Sequence, residues 1–179
     1  MSHKIGFSAF FAVMLVVLMA GNMLAQGPTV NLAGSATVLS ALTFTQTHAV
    51  AFGNVTASRT AVLDPQGVAN QFVGSTAGAG AITIHGANNT PVIVTYPATM
   101  TLTDGTPAED LTLTLSVTGD KLAANQASSA ALASGAAVTT ALATDANPGD
   151  FYLWVGGSLP TSTVANTFSG SATFSVEYQ

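Results

Sequence analysis

The chain has 179 residues, of which 48% are hydrophobic and only 6% are charged, and its formal net charge is −5. Three strong bases cannot form the basic patch that binds a phosphate backbone, which excludes nucleic acid as a partner and disfavours anionic membrane surfaces. Cysteine is absent, so the fold must be stabilised by burial and backbone hydrogen bonding without disulfides.

Residues 1–25 have the pattern of a secretory signal peptide. A basic start at residues 3–4 precedes an apolar run at residues 9–20, and Ala25 stands before the polar Gln26. The run is short for a membrane-spanning helix, and the pattern predicts cleavage after Ala25. We expect a secreted protein that passes through the periplasm; the alternative is an uncleaved anchor.

The segment after the predicted cleavage site alternates between two faces. Side chains at every second position of an extended chain share one face. On one face of residues 28–38 lie Val30, Leu32, Gly34, Ala36 and Val38. The register changes around residues 39–41, and a second alternating run begins at Leu42 and Phe44. Two interpretations stand: an N-terminal extension or donor strand over residues 26–40, or simply the first strand of a sandwich.

Short strand candidates separated by turn signals follow in the middle of the chain. Gly53 in an apolar segment indicates a bulge or a close backbone approach. The strand candidates are residues 81–85, 92–96, 99–103, 111–117 and 151–155. We expect the last of them to end at Gly156-Gly157. The alanine-rich residues 121–143 could form a helical turn or two.

The chain ends in a strand with one apolar face and one polar face. The apolar positions are Ala172, Phe174, Val176 and Tyr178. A strand at the edge of a sheet remains an open template unless it is paired. Strands spaced by frequent turns predict an all-β fold, an immunoglobulin-like or pilin-like antiparallel β-sandwich over residues 41–179.

We find no catalytic or metal-binding constellation, and therefore expect neither an enzyme nor a cofactor. His48 and His85 have no histidine or cysteine neighbour at ligand spacing. Asp104, Glu109 and Asp110 gather in one polar turn, but their spacing fits no calcium-binding loop. Neither a Gly-x-Ser-x-Gly elbow nor a phosphate-binding glycine motif is present.

Several segments resemble the DUF4402 domain family of secreted bacterial proteins. They are Phe52-Gly53-Asn54-Val55, the turn at residues 64–67, residues 151–159 with Val-Gly-Gly-Ser-Leu, and the ending from Phe168 to Tyr178. The resemblance covers most of residues 26–179. It implies a secreted protein without an assigned biochemical activity.

The ending is also similar to that of chaperone–usher pilus subunits, whose last strand alternates and has a tyrosine beside the terminus. That resemblance implies a sandwich lacking one strand, which the N-terminal extension of the next subunit supplies. It also implies a periplasmic chaperone and an outer-membrane assembly protein as partners. The donor strand would contain Val30, Leu32, Gly34, Ala36 and Val38, and the acceptor strand Ala172, Phe174, Val176 and Tyr178. The chain departs from the common pilin pattern in lacking a cysteine pair, and the extension could equally fold back onto its own domain.

Two functional hypotheses follow. The first is a structural subunit of an extracellular, pilus-like or fimbria-like filament, or a surface adhesin, that assembles with copies of itself by β-strand complementation. Its charge-poor surface suits a protein packed against its own copies. The alternative is a monomeric secreted β-sandwich that binds glycan or ice through the Thr-x-Thr files at 99–103 and 112–114. Trp154 and Tyr152 share a face and could stack on sugar rings, although the core is the favoured place for Trp154.

Overall fold

The computed structural model describes residues 35–56, 58–141, 144–162 and 164–179. The predicted signal peptide and the predicted donor residues Val30, Leu32 and Gly34 lie outside the described residues. The chain divides into two units between Thr37 and Val38, close to the predicted start of the domain at residue 41. Almost all of the described residues belong to the second unit.

The described residues form an antiparallel all-β fold, which confirms the predicted fold class. The strands are β1 (Thr43–His48), β2 (Ala61–Leu63), β3 (Gly80–His85), β4 (Pro91–Thr95), β5 (Thr99–Leu102), β6 (Leu111–Asp120), β7 (Ala130–Ala131), β8 (Ala136–Thr139), β9 (Asp150–Leu159) and β10 (Ser175–Tyr178). Short 3-10 turns occupy Pro107–Glu109 and Ala123–Ser128. No helix in the described part of the chain is long and apolar enough to cross a membrane.

The strands form two sheets. The larger sheet has the order β1-β3-β9-β6-β5, with β2 also paired to β9 and β7 to β6; the smaller has the order β10-β4-β8. The main core lies between the two sheets, where Ile84 and Leu153 of the larger sheet and Val94 of β4 are fully buried. Burying side chains of this size stabilises the fold by about 1.5–3 kcal/mol each.

A second apolar cluster lies on the same face of the larger sheet, away from the smaller sheet. Leu63, Leu113 and Leu159 are buried there with Phe52, which comes from an irregular segment. Among the residues described in this cluster, none comes from β4, β8 or β10. Irregular chain therefore covers this half of the sheet.

The prediction that the aromatic strand ends at Gly156-Gly157 is wrong, because β9 continues through both glycines to Leu159. A β-carbon at Gly156 would overlap the carbonyl oxygen of Leu63, and one at Gly157 would overlap that of Thr114. The glycines allow β2 and β6 to approach β9 closely, so they are part of the strand rather than its end.

The alanine-rich segment changes structure along its length. The predicted helical turn is present as the 3-10 turn at Ala123–Ser128, and the chain then continues into β7 and β8. The Ser129 hydroxyl, which is buried, donates to the Gln126 carbonyl at 2.7 Å and lies 2.8 Å from the Thr118 hydroxyl. These side-chain bonds compete with helix continuation.

Candidate functional site at the open edge of the terminal strand

The predicted terminal strand is shorter than expected, because Ala172 and Phe174 lie before the strand that forms, but its faces alternate. Ala172, Phe174, Val176 and Tyr178 are half-buried, while the residues between them are exposed. The hydrogen-bonded strand, Ser175–Tyr178, pairs antiparallel with β4 at one end of the smaller sheet. On its other side, β10 is paired with no strand of the described chain.

The direction of the hydrogen bonds shows which backbone groups face the open side. The N–H of Gln179 donates to the carbonyl of Pro91 at 3.1 Å. In an antiparallel ladder, alternate residues direct both backbone groups to the same neighbour. Glu177 therefore faces β4, and Val176 and Tyr178 direct their N–H and C=O groups to the open edge.

The end of β10 is fixed by the side chain of Tyr178. Its hydroxyl accepts a hydrogen bond from the N–H of Ala87 at 2.7 Å and donates to the carbonyl of Ser40 at 2.8 Å. Gly86 leaves space for the ring, since a β-carbon there would lie 2.6 Å from the hydroxyl. The open edge is thus held in an extended conformation before anything pairs with it.

An aromatic contact fixes the start of the strand. Phe174 stacks on Tyr96 with ring centroids 5.3 Å apart, and the Tyr96 hydroxyl donates to the carbonyl of Leu132. Burial raises the pKa of Tyr96, which keeps this hydroxyl a donor. Both ends of the acceptor strand are therefore tied to neighbouring segments.

A cavity of about 890 Å³ lies beside the segment that leads into β10. Residues 164–170 form one wall, and Ser169 exchanges backbone hydrogen bonds with Thr103 at 2.8 and 3.0 Å. The lining includes the apolar side chains of Met100, Leu102, Leu111, Leu113 and Leu159. Arg59, which lies 4.6 Å from the ring centroid of Phe72, is the one charged residue among the described lining residues. The cavity is lined both by the apolar half of the larger sheet and by the irregular segments that cover it.

Two of the predicted donor residues fall within the described chain. Ala36 and Val38 are exposed and belong to no strand. The side chain of Val38 is 93% exposed. The structure thus brings the four acceptor residues together on one face, whereas the described donor residues are not part of a sheet.

A polar cluster on β3 and β9 was not predicted from the sequence. The Nδ1 atom of His85 lies 2.6 Å from Asp150, and the Tyr152 hydroxyl donates to the other oxygen of Asp150 at 2.8 Å. Burial, followed by the bond to Asp150, raises the pKa of Tyr152 to about 12. His85 and Asp150 are 65 positions apart and meet only because they are paired in the sheet register. None of the three residues lines the cavity beside residues 164–170.

The acidic turn at residues 104–110 is organised by its own hydrogen bonds. Asp104 accepts from the N–H of Thr106 and from the side chain of Asn166, both at 2.7 Å. The Thr106 bond lowers the pKa of Asp104, whereas desolvation and then the neighbouring Asp104 raise the pKa of Glu109. Within the described residues, no three acidic, histidine or cysteine side chains are grouped as metal ligands.

The outer face of the larger sheet carries the predicted threonine files. Thr99 lies opposite Thr114 and Thr101 opposite Thr112, and all four are exposed. Trp154 also points to this face, because β9 alternates and its neighbours Leu153 and Val155 face the core. Its side chain is nevertheless buried. The sequence favours the core for Trp154, but the buried side chain belongs to neither of the two core clusters.

Comparisons with models of known protein families and with curated proteins found no match to this chain.

Proposed function

We propose that the protein is a structural subunit of an extracellular filament, or a surface adhesin, that assembles by β-strand complementation between copies. The observation that carries the proposal is the open edge of β10. Within the described chain, the backbone groups of Val176 and Tyr178 on that side have no backbone partner, and the side chains of both residues lie on the half-buried face. An added strand would gain hydrogen bonds along the edge and place alternate side chains in apolar pockets.

The edge strand is short and carries one charge, Glu177, but it lacks three features that commonly block pairing. Natural edge strands carry lysine, proline or a bulge that blocks pairing. Residues 171–179 contain no lysine and no proline, and the β10–β4 register is regular. The fixed ends of the strand further favour association, because a preorganised edge loses little conformational entropy on binding.

The proposed occupant is the leading segment of another copy. Residues 26–38 carry no charge and alternate, which matches an acceptor with an apolar inner face. The apolar cavity of about 890 Å³ lies along the segment that leads into β10 and offers space for such side chains. Secretion, a periplasmic chaperone and an outer-membrane assembly protein belong to this proposal as the route to the cell surface.

The test is assembly of the purified protein. We expect filaments or higher oligomers by negative-stain microscopy and sedimentation, and their loss when residues 26–40 are deleted. A synthetic peptide of residues 28–38 should bind the deleted chain, whereas a peptide with Val30 and Leu32 both changed to Asp should not. Two results together would exclude the proposal: the purified chain stays monomeric at all concentrations, and the chain lacking residues 26–40 does not bind the peptide.

The threonine pairs favour a second candidate, a monomeric binding module for glycan or ice. Thr99–Thr114 and Thr101–Thr112 are directly opposite each other and present hydroxyl and methyl groups in rows. Thermal-hysteresis and polysaccharide pull-down assays on wild type and a Thr101→Lys/Thr112→Lys variant would test it. Activity that the variant loses, in a chain that does not assemble, would favour this candidate over the filament subunit.

A further inference from the structure

The smaller sheet has a second open edge, on β8. This strand, Ala136–Thr139, pairs with β4 on one side, and no other strand of the described chain pairs with it. The N–H of Thr140 donates to the carbonyl of Thr90 at 3.1 Å, so Thr140 faces β4. Alternation then directs the N–H and C=O groups of Ala137 and Thr139 away from β4. No backbone hydrogen bond outside the β4–β8 ladder involves either residue within the described chain.

We infer that β8 is a second association surface, at which two copies of this chain pair their β8 strands antiparallel about a two-fold axis. Closed two-fold pairs are the commonest arrangement of soluble homo-oligomers, and each copy presents the same patch. The inference concerns a different edge from the one in the proposed function, and it does not require the leading segment.

The positions of the free backbone groups define one register. If Ala137 of one copy lies opposite Thr139 of its partner, both outward residues of each copy form hydrogen-bonded pairs. Val138 then meets its own counterpart on the axis as a non-hydrogen-bonded pair. A shift by one residue would place each outward-directed residue opposite an inward-directed residue of the partner and lose these bonds.

Side-chain size and charge fit this pairing. Ala137 and Thr139 are small, and Val138 already packs against the main core, so the two valines would extend that core across the axis. Residues 122–144 contain no charged residue, so β8 itself brings no carboxylate to the pairing. Neither lysine nor proline protects β8 itself.

The space beside β8 accommodates a partner strand. A cavity of about 860 Å³ lies between β7 and β8, and its lining includes Ala130, Leu132 and Phe151. The charged residues among its described lining are Asp120, Lys121 and Asp145. Lys121 of one copy can therefore face a carboxylate of the other copy.

The chain contains no cysteine, so a single introduced cysteine can form a disulfide only with the same residue of another copy. In the inferred register, a Val138→Cys variant places two cysteines within disulfide range, since such a pair has Cα atoms about 4.5 Å apart. The matched control is Val176→Cys, which is also half-buried on an edge strand of the same sheet. We expect the disulfide-linked dimer to form at least about tenfold faster in V138C than in V176C, on non-reducing gels after mild oxidation.

A second pair of variants tests the inference without altering the core. Ala137→Lys adds a charge to the exposed side of β8, and Ser175→Lys does the same on β10. We expect A137K to weaken dimerisation at least about tenfold by analytical ultracentrifugation, and S175K to leave this dimer unchanged. The inference would be overturned if both cysteine variants cross-linked equally fast. It would also be overturned if V138C did not cross-link and A137K associated like the wild type. V138C dimers that persist while filaments are absent would overturn the proposed function alone.

Discussion

One hydroxyl group, that of Tyr178, connects the end of the chain to two distant segments. It bonds to Ala87 and to Ser40, positions that no local sequence pattern associates with the terminus. The alternation of residues 172–178 predicts which face of the strand is apolar and places the Tyr178 side chain on that face. It cannot predict these partners, because they depend on which strands become neighbours.

We predict that Tyr178→Phe destabilises the fold without changing the apolar face. The Ala87 N–H, whose bond to the hydroxyl is partly buried, would lose its partner, which costs about 1–3 kcal/mol; the exposed Ser40 carbonyl can bond to water instead. Urea unfolding measures the change, with Thr173→Ala, an exposed position, as a control expected within about 0.5 kcal/mol of wild type. An unchanged unfolding midpoint in Y178F would mean that the terminus is held by the ring alone.

The cluster of His85, Asp150 and Tyr152 predicts a pH dependence. The folded pKa of Tyr152 is about 12, above the usual value of about 10 for tyrosine. Folding therefore favours the protonated form, so this stabilising contribution is complete below about pH 10 and is lost as the pH rises towards 12. Tyr152→Phe should flatten the decline of the melting temperature over that range relative to wild type. If the melting temperatures of wild type and Y152F fell in parallel over this pH range, the raised pKa of Tyr152 would be contradicted.

At the scale of elements, the sequence predicts where strands begin more reliably than where they end or what they pair with. The alternation of β6 and the apolar run of β3 agree with the structure because each strand has one buried face. The glycines of β9 lead to a wrong strand end, because glycine commonly ends strands. Here they allow β2 and β6 to approach β9 closely. The edge positions of β8 and β10 follow from tertiary pairing and have no local signal.

The close approach at β9 makes a strong prediction for Gly156→Ala. The added carbon would overlap the Leu63 carbonyl and lie 2.9 Å from the nitrogen of Pro65, which requires β2 to move. We expect destabilisation of at least about 2 kcal/mol in thermal or urea unfolding. Gly78→Ala is the matched control, because a β-carbon there meets no atom within 4 Å. Equal stability of the two variants would show that β2 can shift without cost.

At the scale of the whole molecule, the described residues of the smaller sheet form three strands with an open edge on each side, in a chain that carries few charges. β8 and β10 have four residues each, and neither carries the lysine, proline or bulge that blocks pairing at an edge. This absence supports the proposed association. The sequence predicts the alternating faces of the acceptor strand. It could not predict the second edge, because the alanine-rich segment lacks the β-branched and aromatic residues that usually mark strands.

Charge makes a further prediction about assembly. Residues 26–38 and β8 are uncharged, and Glu177 is the single charged residue of β10. Association should therefore depend weakly on ionic strength, in contrast to contacts between charged surfaces. Sedimentation between 50 mM and 500 mM salt measures this, and we expect less than about a threefold change in the association constant. Dissociation at high salt would indicate that charged surfaces hold the copies together.

Residue-resolved amide hydrogen exchange of β10 tests the central claim most directly. In isolated subunits, the Glu177 amide faces β4 and should be protected, while the amides of Val176 and Tyr178 should exchange freely. In assembled material that is exchanged, quenched and dissolved for NMR, we predict that Val176 and Tyr178 become protected as well. If their exchange remains fast in the assembled state, then β10 is not the edge that a second copy completes.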